Sequence, residues 1–446
     1  MRGYSQRALD LPGIPAQAGI DGRLYAPAST EPPEAAPSGP EGGASPCLGT
    51  NTEFAAPAES LRNQEELPLA RPAWERQRGF WFLAEPGSRA QKCHRTRRTR
   101  GEVIARRRES GSHRFEGLVK CGGAWCPVCA QGRARSVAAE LGACIEAHLS
   151  ASPSHDVWLA VLTWPHAAEA SLKTDIDLGC DAWRRLMKSK RWKALEERYG
   201  VVASPRFFEA ARSSRGLHSH FNVPIFVRSA SFGFQPLRGM PEDERAAVLR
   251  AIEVEFLEAW EHACRAAGAL PEEKLEDFRE HGLKLFPGQS AAQYCAKWGL
   301  SDEAAKGAIK DRNQFSLIDE YLEGNQRSGA LFVEFLAAMK GRQIVSGLGK
   351  LKKRLGVSDD DVQAHTERLR DARERQERAA GREPPAPSVP YAVIVRRSLY
   401  SEALDLGWAK VLAAADAAAD SGSDPQRAVD GLLLASRRAR AGPVRA

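Results

Sequence analysis

Three groups of side chains have types and spacings that could do chemistry. The first is Cys121-Gly-Gly-Ala-Trp-Cys126-Pro-Val-Cys129. A Cys-Pro-x-Cys turn lets two thiolates face one ion, and Zn²⁺ takes four ligands in a tetrahedron, at about 2.3 Å from sulfur. Cys121 adds a third sulfur, and Lys92-Cys93-His94 offers a fourth ligand, Cys93 before His94. Four protein ligands leave no open position, so this Zn²⁺ would be structural and would fold a segment poor in core residues.

The second group is Phe208-Glu209-Ala-Ala-Arg-Ser-Ser-Arg-Gly216-Leu-His218-Ser-His220-Phe-Asn222. In a strand, His218, His220 and Asn222 share a face, and Glu209 on a preceding strand could lie across a hairpin from them. Two imidazoles, an amide oxygen and a carboxylate could ligate Mg²⁺, Mn²⁺ or another divalent ion. The third group is Gln289-Ser290-Ala-Ala-Gln293-Tyr294-Cys-Ala-Lys297-Trp298. On a helix Tyr294 shares a face with Lys297 and with Ser290. A phenol ionises near pH 10 unless a metal or an ammonium lowers it, and the phenolate would be a nucleophile.

The elements that must position these groups follow from periodicity. Asp156 opens an apolar run of strand length that Pro165 ends. Residues 175–198 read as one basic amphipathic helix. Strands around Arg206–Ala211 and Leu217–Val227 are joined by Arg212-Ser-Ser-Arg-Gly216, a hairpin turn. Pro241 through Ala267 is helical with Gly268 as the stop. Residues 288–299 and 328–356 are further helical stretches; Tyr391–Arg397 reads as a strand and Ser401–Ala419 as a helix. Trp164, Phe221 and Trp298 could stack bases, although core packing suits Phe221 better.

Composition bounds the rest. The 446 residues carry 64 Lys and Arg against 57 Asp and Glu, a formal +7, which leans toward a polyanionic partner. Residues 1–70 hold 9 acids and 4 bases in Pro/Ala/Gly-rich sequence and are expected to be a disordered tail. Residues 71–145 reverse the sign, with 16 bases against 6 acids. Arg95, Arg97, Arg98, Arg106, Arg107 and Arg108 there, with Arg184, Arg185 and Lys188 on the later basic helix, are expected to face DNA phosphates. The expected order is the tail 1–70, a basic zinc-binding segment 71–150, a catalytic domain 151–365, a charged Pro-rich linker 366–390 and a small C-terminal element 391–446. The N-terminus has no secretory h-region and no apolar run is long enough to span a bilayer, so a cytoplasmic protein with reduced thiols and no membrane partner is expected.

The three groups in this order resemble the rolling-circle plasmid replication initiators, the Rep proteins of the HUH endonuclease superfamily. Their pattern is a Cys and Cys-Pro-x-Cys cluster, a Leu-Thr strand, Glu followed by a Gly-x-His-Pro-His-x-His strand, then Tyr-x-x-Lys-Trp/Tyr. The likeness spans roughly residues 75–365 and continues through Gly299-Leu-Ser-Asp-Glu and Lys340-Gly-Arg342-Gln-Ile-Val-Ser346-Gly. It implies an α+β fold, an HUH-type antiparallel sheet flanked by helices, with the histidine strand central.

It further implies site-specific nicking of origin DNA that is single-stranded at the nick. Tyr294 would attack with Lys297 assisting, at a Mg²⁺ or Mn²⁺ held by His218, His220, Asn222 and Glu209. A 5′-phosphotyrosine and a free 3′-OH would result, with a host helicase and DNA polymerase as partners; the likeness leaves room for an oligomer. Two departures stand out. Asn222 replaces the second imidazole of the usual His-hydrophobe-His pair, with Ser219 in place of the Pro, and Ser290 stands where some relatives place a Glu that activates water. The first motivates an alternative, a catalytically decayed zinc-containing origin binder that acts as a repressor.

Overall fold

The computed structural model describes residues 73–98, 102–108, 113–166, 171–213, 216–228, 237, 240–288, 291, 312–379 and 388–441. The expected tail 1–70 and most of the expected helix 288–299 lie outside them. The fold is α+β, with two antiparallel sheets flanked by helices.

The larger sheet is built around two long strands. β3 (His155–Thr163) is the apolar run expected from the sequence, and β5 (Arg206–Ser213) and β6 (Gly216–Arg228) form the hairpin. The strand order is β7-β3-β6-β5-β8, where β7 is Leu283–Pro287 and β8 is Arg312–Asn313; β4 (Val201–Ala203) adds to β6 and β9 (Val345–Ser346) to β5. Thus β6, the histidine strand, is central. Pro224 falls inside it where β5 has ended at Asn222 and β4 begins only at Phe226. A residue without an N–H is tolerated at such a gap in one edge.

The smaller sheet joins distant parts of the chain. β1 (Val103–Arg107) pairs on one side with β2 (His113–Glu116) and on the other with β10 (Tyr391–Val395), register Val103↔Val395 to Arg107↔Tyr391. The C-terminal residues therefore complete a sheet begun in the basic segment. Helix α1 (Ala73–Leu83) is tied to a helix at Ser316–Leu322 by a bidentate pair, Arg76 Nε and Nη2 to Asp319 at 2.8 and 2.6 Å, with the Arg76 side chain 5% exposed.

Three expected helices are each broken in two. The stretch 175–198 is α3 (Leu172–Lys188) and α4 (Lys190–Tyr199), because Ser189 leaves helical geometry and its Oγ accepts from Trp192 N at 3.0 Å as an N-cap. Residues 328–356 are Gln326–Ala338 and Leu348–Leu355, separated by β9. Gly347 there has φ +86, and a Cβ on it would lie 3.3 Å from Pro205 Cα. Residues 401–419 fall into Tyr400–Leu406 and Trp408–Asp420, split at Gly407 (φ 83). The helix expected from Pro241 runs Glu242–Ala266 and ends before Gly268 as read. A further helix, Asp359–Ala379, continues through the charged residues 366–379 of the expected linker.

Two core contacts carry predictions. Gly179 on α3 lies against the Trp164 indole: a Cβ there would sit 2.3 Å from Cζ2. Trp164 is 2% exposed and wedged against Phe221 (4.8 Å) and Trp260 (6.5 Å), so it serves the core rather than base stacking and cannot retreat. Helix propensity favours Ala over Gly by only about 1 kcal/mol, whereas overpacking costs about 1–3 kcal/mol or more. Gly179→Ala is therefore expected to lower the melting temperature, and an unchanged or raised melt would contradict the packing.

His148, on α2 (Pro127–Ala151), is 1% exposed, with Nε2 3.0 Å from Val227 O and its ring stacked on His155. Burial holds it down to about 4. The unfolded chain takes up that proton near pH 6.5 and the native chain only near 4. Stability is therefore full above about pH 6.5 and falls toward pH 4 by up to about 1.4 kcal/mol per pH unit. A melt-against-pH series should show this slope, and His148→Gln should flatten it.

Candidate metal and nucleic-acid site

Alternation along β6 places His218, His220 and Asn222 on one face, and register brings their partners. Glu209 lies opposite His220 on β5, Thr163 opposite His220 on β3, and Val161 opposite Asn222. Glu209 Oε2 is shared: His220 Nε2 is 3.1 Å away and Asn222 Nδ2 donates to it at 2.7 Å. Asn222 is 1% exposed and its Oδ1 is a buried acceptor without a partner, while His220 is 8% exposed. The strand's polar face therefore opens toward the His218 end.

At that end β3 has ended and Pro165 turns the chain, so that His166 comes alongside. His166 Nε2 lies 2.5 Å from His218 Nδ1, and His166 Nδ1 lies 2.9 Å from Asp175 Oδ2. Asp175 also accepts from Trp164 Nε1 at 3.1 Å. Burial, with His166 and His220 close by, holds His218 down to about 3, so its ring is neutral at physiological pH. The sequence marks His166 only as the end of the segment Val161-Leu-Thr163-Trp-Pro-His166, without a role, and does not mark Asp175. Asp175 reaches the site from α3, and no local spacing announces a contact made between elements.

The residues His220, Asn222 and Glu209 thus meet, and His218 adjoins them through the histidine row. Their donor set, a carboxylate, two imidazoles and an orphaned amide oxygen, fits a divalent cation. Tyr294 and Lys297 lie outside the described residues, as do Ser290 and Trp298.

The cysteines form the other site. Cys93, Cys121, Cys126 and Cys129 place all four Sγ atoms within 4.8 Å of one another, and among the described residues theirs is the one such cluster of His, Cys, Asp or Glu. Cys93 Sγ is 3.5 Å from that of Cys129 and 3.7 Å from that of Cys126. A tetrahedron of sulfurs each about 2.3 Å from zinc has edges of about 3.8 Å, so the four thiols fit Zn²⁺ closely. Cys93 completes the set, and His94 stands beside it with Nδ1 3.1 Å from Cys93 Sγ.

The surrounding chain holds this knuckle rigidly. Gln77 and Trp81 donate to Cys93 O, Trp408 Nε1 donates to His94 O at 2.7 Å, and His94 takes the left-handed φ of 54° that the turn requires. Hydrogen bonds from neighbouring thiols hold Cys129 and Cys121 below the ordinary thiol range. Burial pushes Cys126 up, and hydrogen bonding with Cys121 does the same to Cys93. Four thiolates in one place need a cation to neutralise them.

The cationic side chains divide by environment. Arg95, Arg98, Arg106 and Arg108 are exposed, as are Arg184, Arg185 and Lys188 on α3. Arg106 pairs with Glu116, and Arg184 and Arg185 share Asp181. Arg97 stacks 5.4 Å over the Tyr400 ring. Arg107 is turned inward, its side chain 12% exposed, paired with Asp416 at 3.4 Å and Asp420 at 2.6 Å.

Residues 113–236 match the model of a protein family described as replication protein. The likeness covers this segment and not the chain as a whole. The matched span holds three of the four cysteines and the whole β3–β6 site, while Cys93 and Tyr294 fall outside it. Comparison with curated proteins and with solved structures gave no match. No helix among the described residues is long and apolar enough to cross a membrane.

Proposed function

We propose that this chain is a rolling-circle replication initiator that binds plasmid origin DNA and nicks one strand, single-stranded at the nick. The observation that carries this reading is the Glu209–His220–Asn222 cluster, on the central strand of an antiparallel sheet inside the matched segment. Tyr294 Oη, deprotonated, attacks the scissile phosphorus in line. The bond from phosphorus to the 3′-oxygen breaks, a 5′-phosphotyrosine forms, and the departing 3′-oxygen takes a proton from solvent to become the 3′-OH primer. Lys297 steadies the phenolate and the phosphate charge.

Mg²⁺ or Mn²⁺ bound here would act as a Lewis acid on the phosphate. His218, His220, Glu209 and the Asn222 carbonyl would hold it, the neutral His218 ring being ready to ligate. The exposed arginines of the zinc segment and of α3 take the duplex, with a steep dependence on salt. Zn²⁺ on the four cysteines is structural. In the cytoplasm a host helicase unwinds the nicked duplex and a host DNA polymerase extends the 3′-OH.

The Asn at 222 supports a second reading, an origin-binding repressor that has lost nicking. A covalent-adduct assay separates the two, using purified protein, origin single strands, and Mg²⁺ or Mn²⁺, with Tyr294→Phe beside the wild type. An adduct in the wild type alone supports the initiator. DNA binding without an adduct under any metal establishes the repressor.

A further inference from the structure

We propose that the outer face of the small sheet reads duplex DNA in the major groove, with Arg106 and Arg114 on guanine edges and Ile104 and Ile394 against thymine methyls. The proposal rests on the origin-binding part of the reading above and names the surface that does the binding; it needs no nicking.

The sheet has two unlike faces. Val103 and Ala105 of β1, Phe115 of β2, and Val393 and Val395 of β10 are buried, and Trp408 lies against Phe115 at 4.5 Å. Arg107 turns to the same side, held by Asp416 and Asp420, and His113 and Tyr391 also reach Asp416, at 3.0 and 2.9 Å. Alternation sends the intervening residues outward. Arg106, Arg114, Ala392 and Ile394 are exposed there, and Ile104 is half-buried. The β10 edge beside this face is closed: Ile394 N donates to Gln426 Oε1 at 2.7 Å, and Gln426 Nε2 donates to Ile394 O at 3.0 Å. A further strand has no free groups to pair with at Ile394, so the face rather than that edge is open to a partner.

Charge selects the partner. Register sets Arg106 directly opposite Arg114, and like charges so placed weaken a sheet. Glu116 answers Arg106 at 3.0 Å, whereas Arg114 makes no ion pair among the described residues. A polyanion laid over the two guanidiniums relieves their repulsion. The outward residues of the three strands include no aromatic ring, so the face lacks the platform on which unpaired bases stack. Three strands spaced about 4.8 Å apart span about 10 Å, against a major groove about 12 Å wide. Guanine presents O6 and N7 to that groove, two acceptors that one guanidinium fork meets together, and thymine presents its methyl.

The test uses the full chain and a duplex library with a randomised core, selected for binding and sequenced. The enriched duplex and a shuffled copy of it then give affinities for the wild type, Arg114→Gln, Arg114→Lys and Arg327→Gln, the last an exposed arginine outside the sheet. The wild type is expected to enrich a site containing guanine. Arg114→Gln should lose about 5–150-fold for that site, the worth of one bidentate base contact. Its melting temperature should hold, since the change relieves a like-charge pair. Arg114→Lys keeps the charge without the fork, so it should hold the shuffled duplex as the wild type does and lose the preference. Arg327→Gln should match the wild type on both duplexes. An Arg114→Lys chain with the wild-type preference, or an equal loss on both duplexes in Arg114→Gln, overturns the proposal. So does a wild type that enriches no duplex, and the adduct assay above then decides the nicking reading separately. An enriched site that depends on Arg114, in a chain that forms no adduct, leaves the sheet proposal standing and favours the repressor.

Discussion

Replacing Cys126 with Ser is expected to strip the chain of zinc and to lower its melting temperature by about 10 °C or more. Cys126 is the most confined of the four ligands, 1% exposed, with Sγ 3.7 Å from that of Cys93 and 3.2 Å from Gln77 Oε1. Its burial disfavours the bare thiolate, so the metal alone lets it ionise there, and the metal is lost with it. Isolated zinc modules draw about 10–16 kcal/mol from the ion. Here the knuckle is also held by Trp81, Gln77 and Trp408, so only a fraction of that is at stake. Even a third of it rivals the net stability of a domain, about 5–15 kcal/mol, and 1 kcal/mol moves a melt by about 2–4 °C at this size. Metal analysis should find one zinc per wild-type chain and none in the variant, and a strong chelator should reproduce the lower melt. A wild type free of zinc after metal-replete expression would refute the assignment.

Tyr294→Phe is expected to abolish the covalent adduct while leaving origin binding in place. The substitution keeps the ring and removes one oxygen, the nucleophile. No neighbouring hydroxyl is expected to replace it, because in-line attack demands one position relative to the scissile bond. The loss should amount to about three orders of magnitude or more in nicking, as for other covalent nucleophiles. Gel-shift affinity read beside adduct formation separates chemistry from binding. An adduct that persists at wild-type rate would move the nucleophile elsewhere.

The parts of the fold legible in the sequence were those whose signal is local. The run from Asp156, the alternation of His218, His220 and Asn222, and the turn residues Arg212–Gly216 announce β3, β5 and β6, because period two and turn residues act within a few positions. The Cys-Pro-x-Cys turn announced the metal knuckle for the same reason. Breaks inside helical patterns were harder to see. Ser189 ends α3 by capping α4, and Gly341 and Gly347 bracket β9 within apparently continuous helical sequence. Contacts between distant segments left no local trace at all. Arg107 reads as a phosphate ligand until Asp416 and Asp420 arrive from some 300 positions away. His166 gains its meaning only when α3 delivers Asp175.

The pairing of Val103–Arg107 with Tyr391–Val395 has a consequence for how the chain matures on the ribosome. The cysteines and both flanks of their knuckle are made first, whereas the strand that closes their sheet and the indole of Trp408 that secures His94 O follow roughly 300 residues later. Most of the chain, including the histidine hairpin and Tyr294, is exported from the exit tunnel before the N-terminal module is finished. A chain cut short before residue 391 would leave the edge of Val103–Arg107 open and the cysteine knuckle without its Trp408 support. The support of the knuckle is therefore complete only once residues 391–408 have been made.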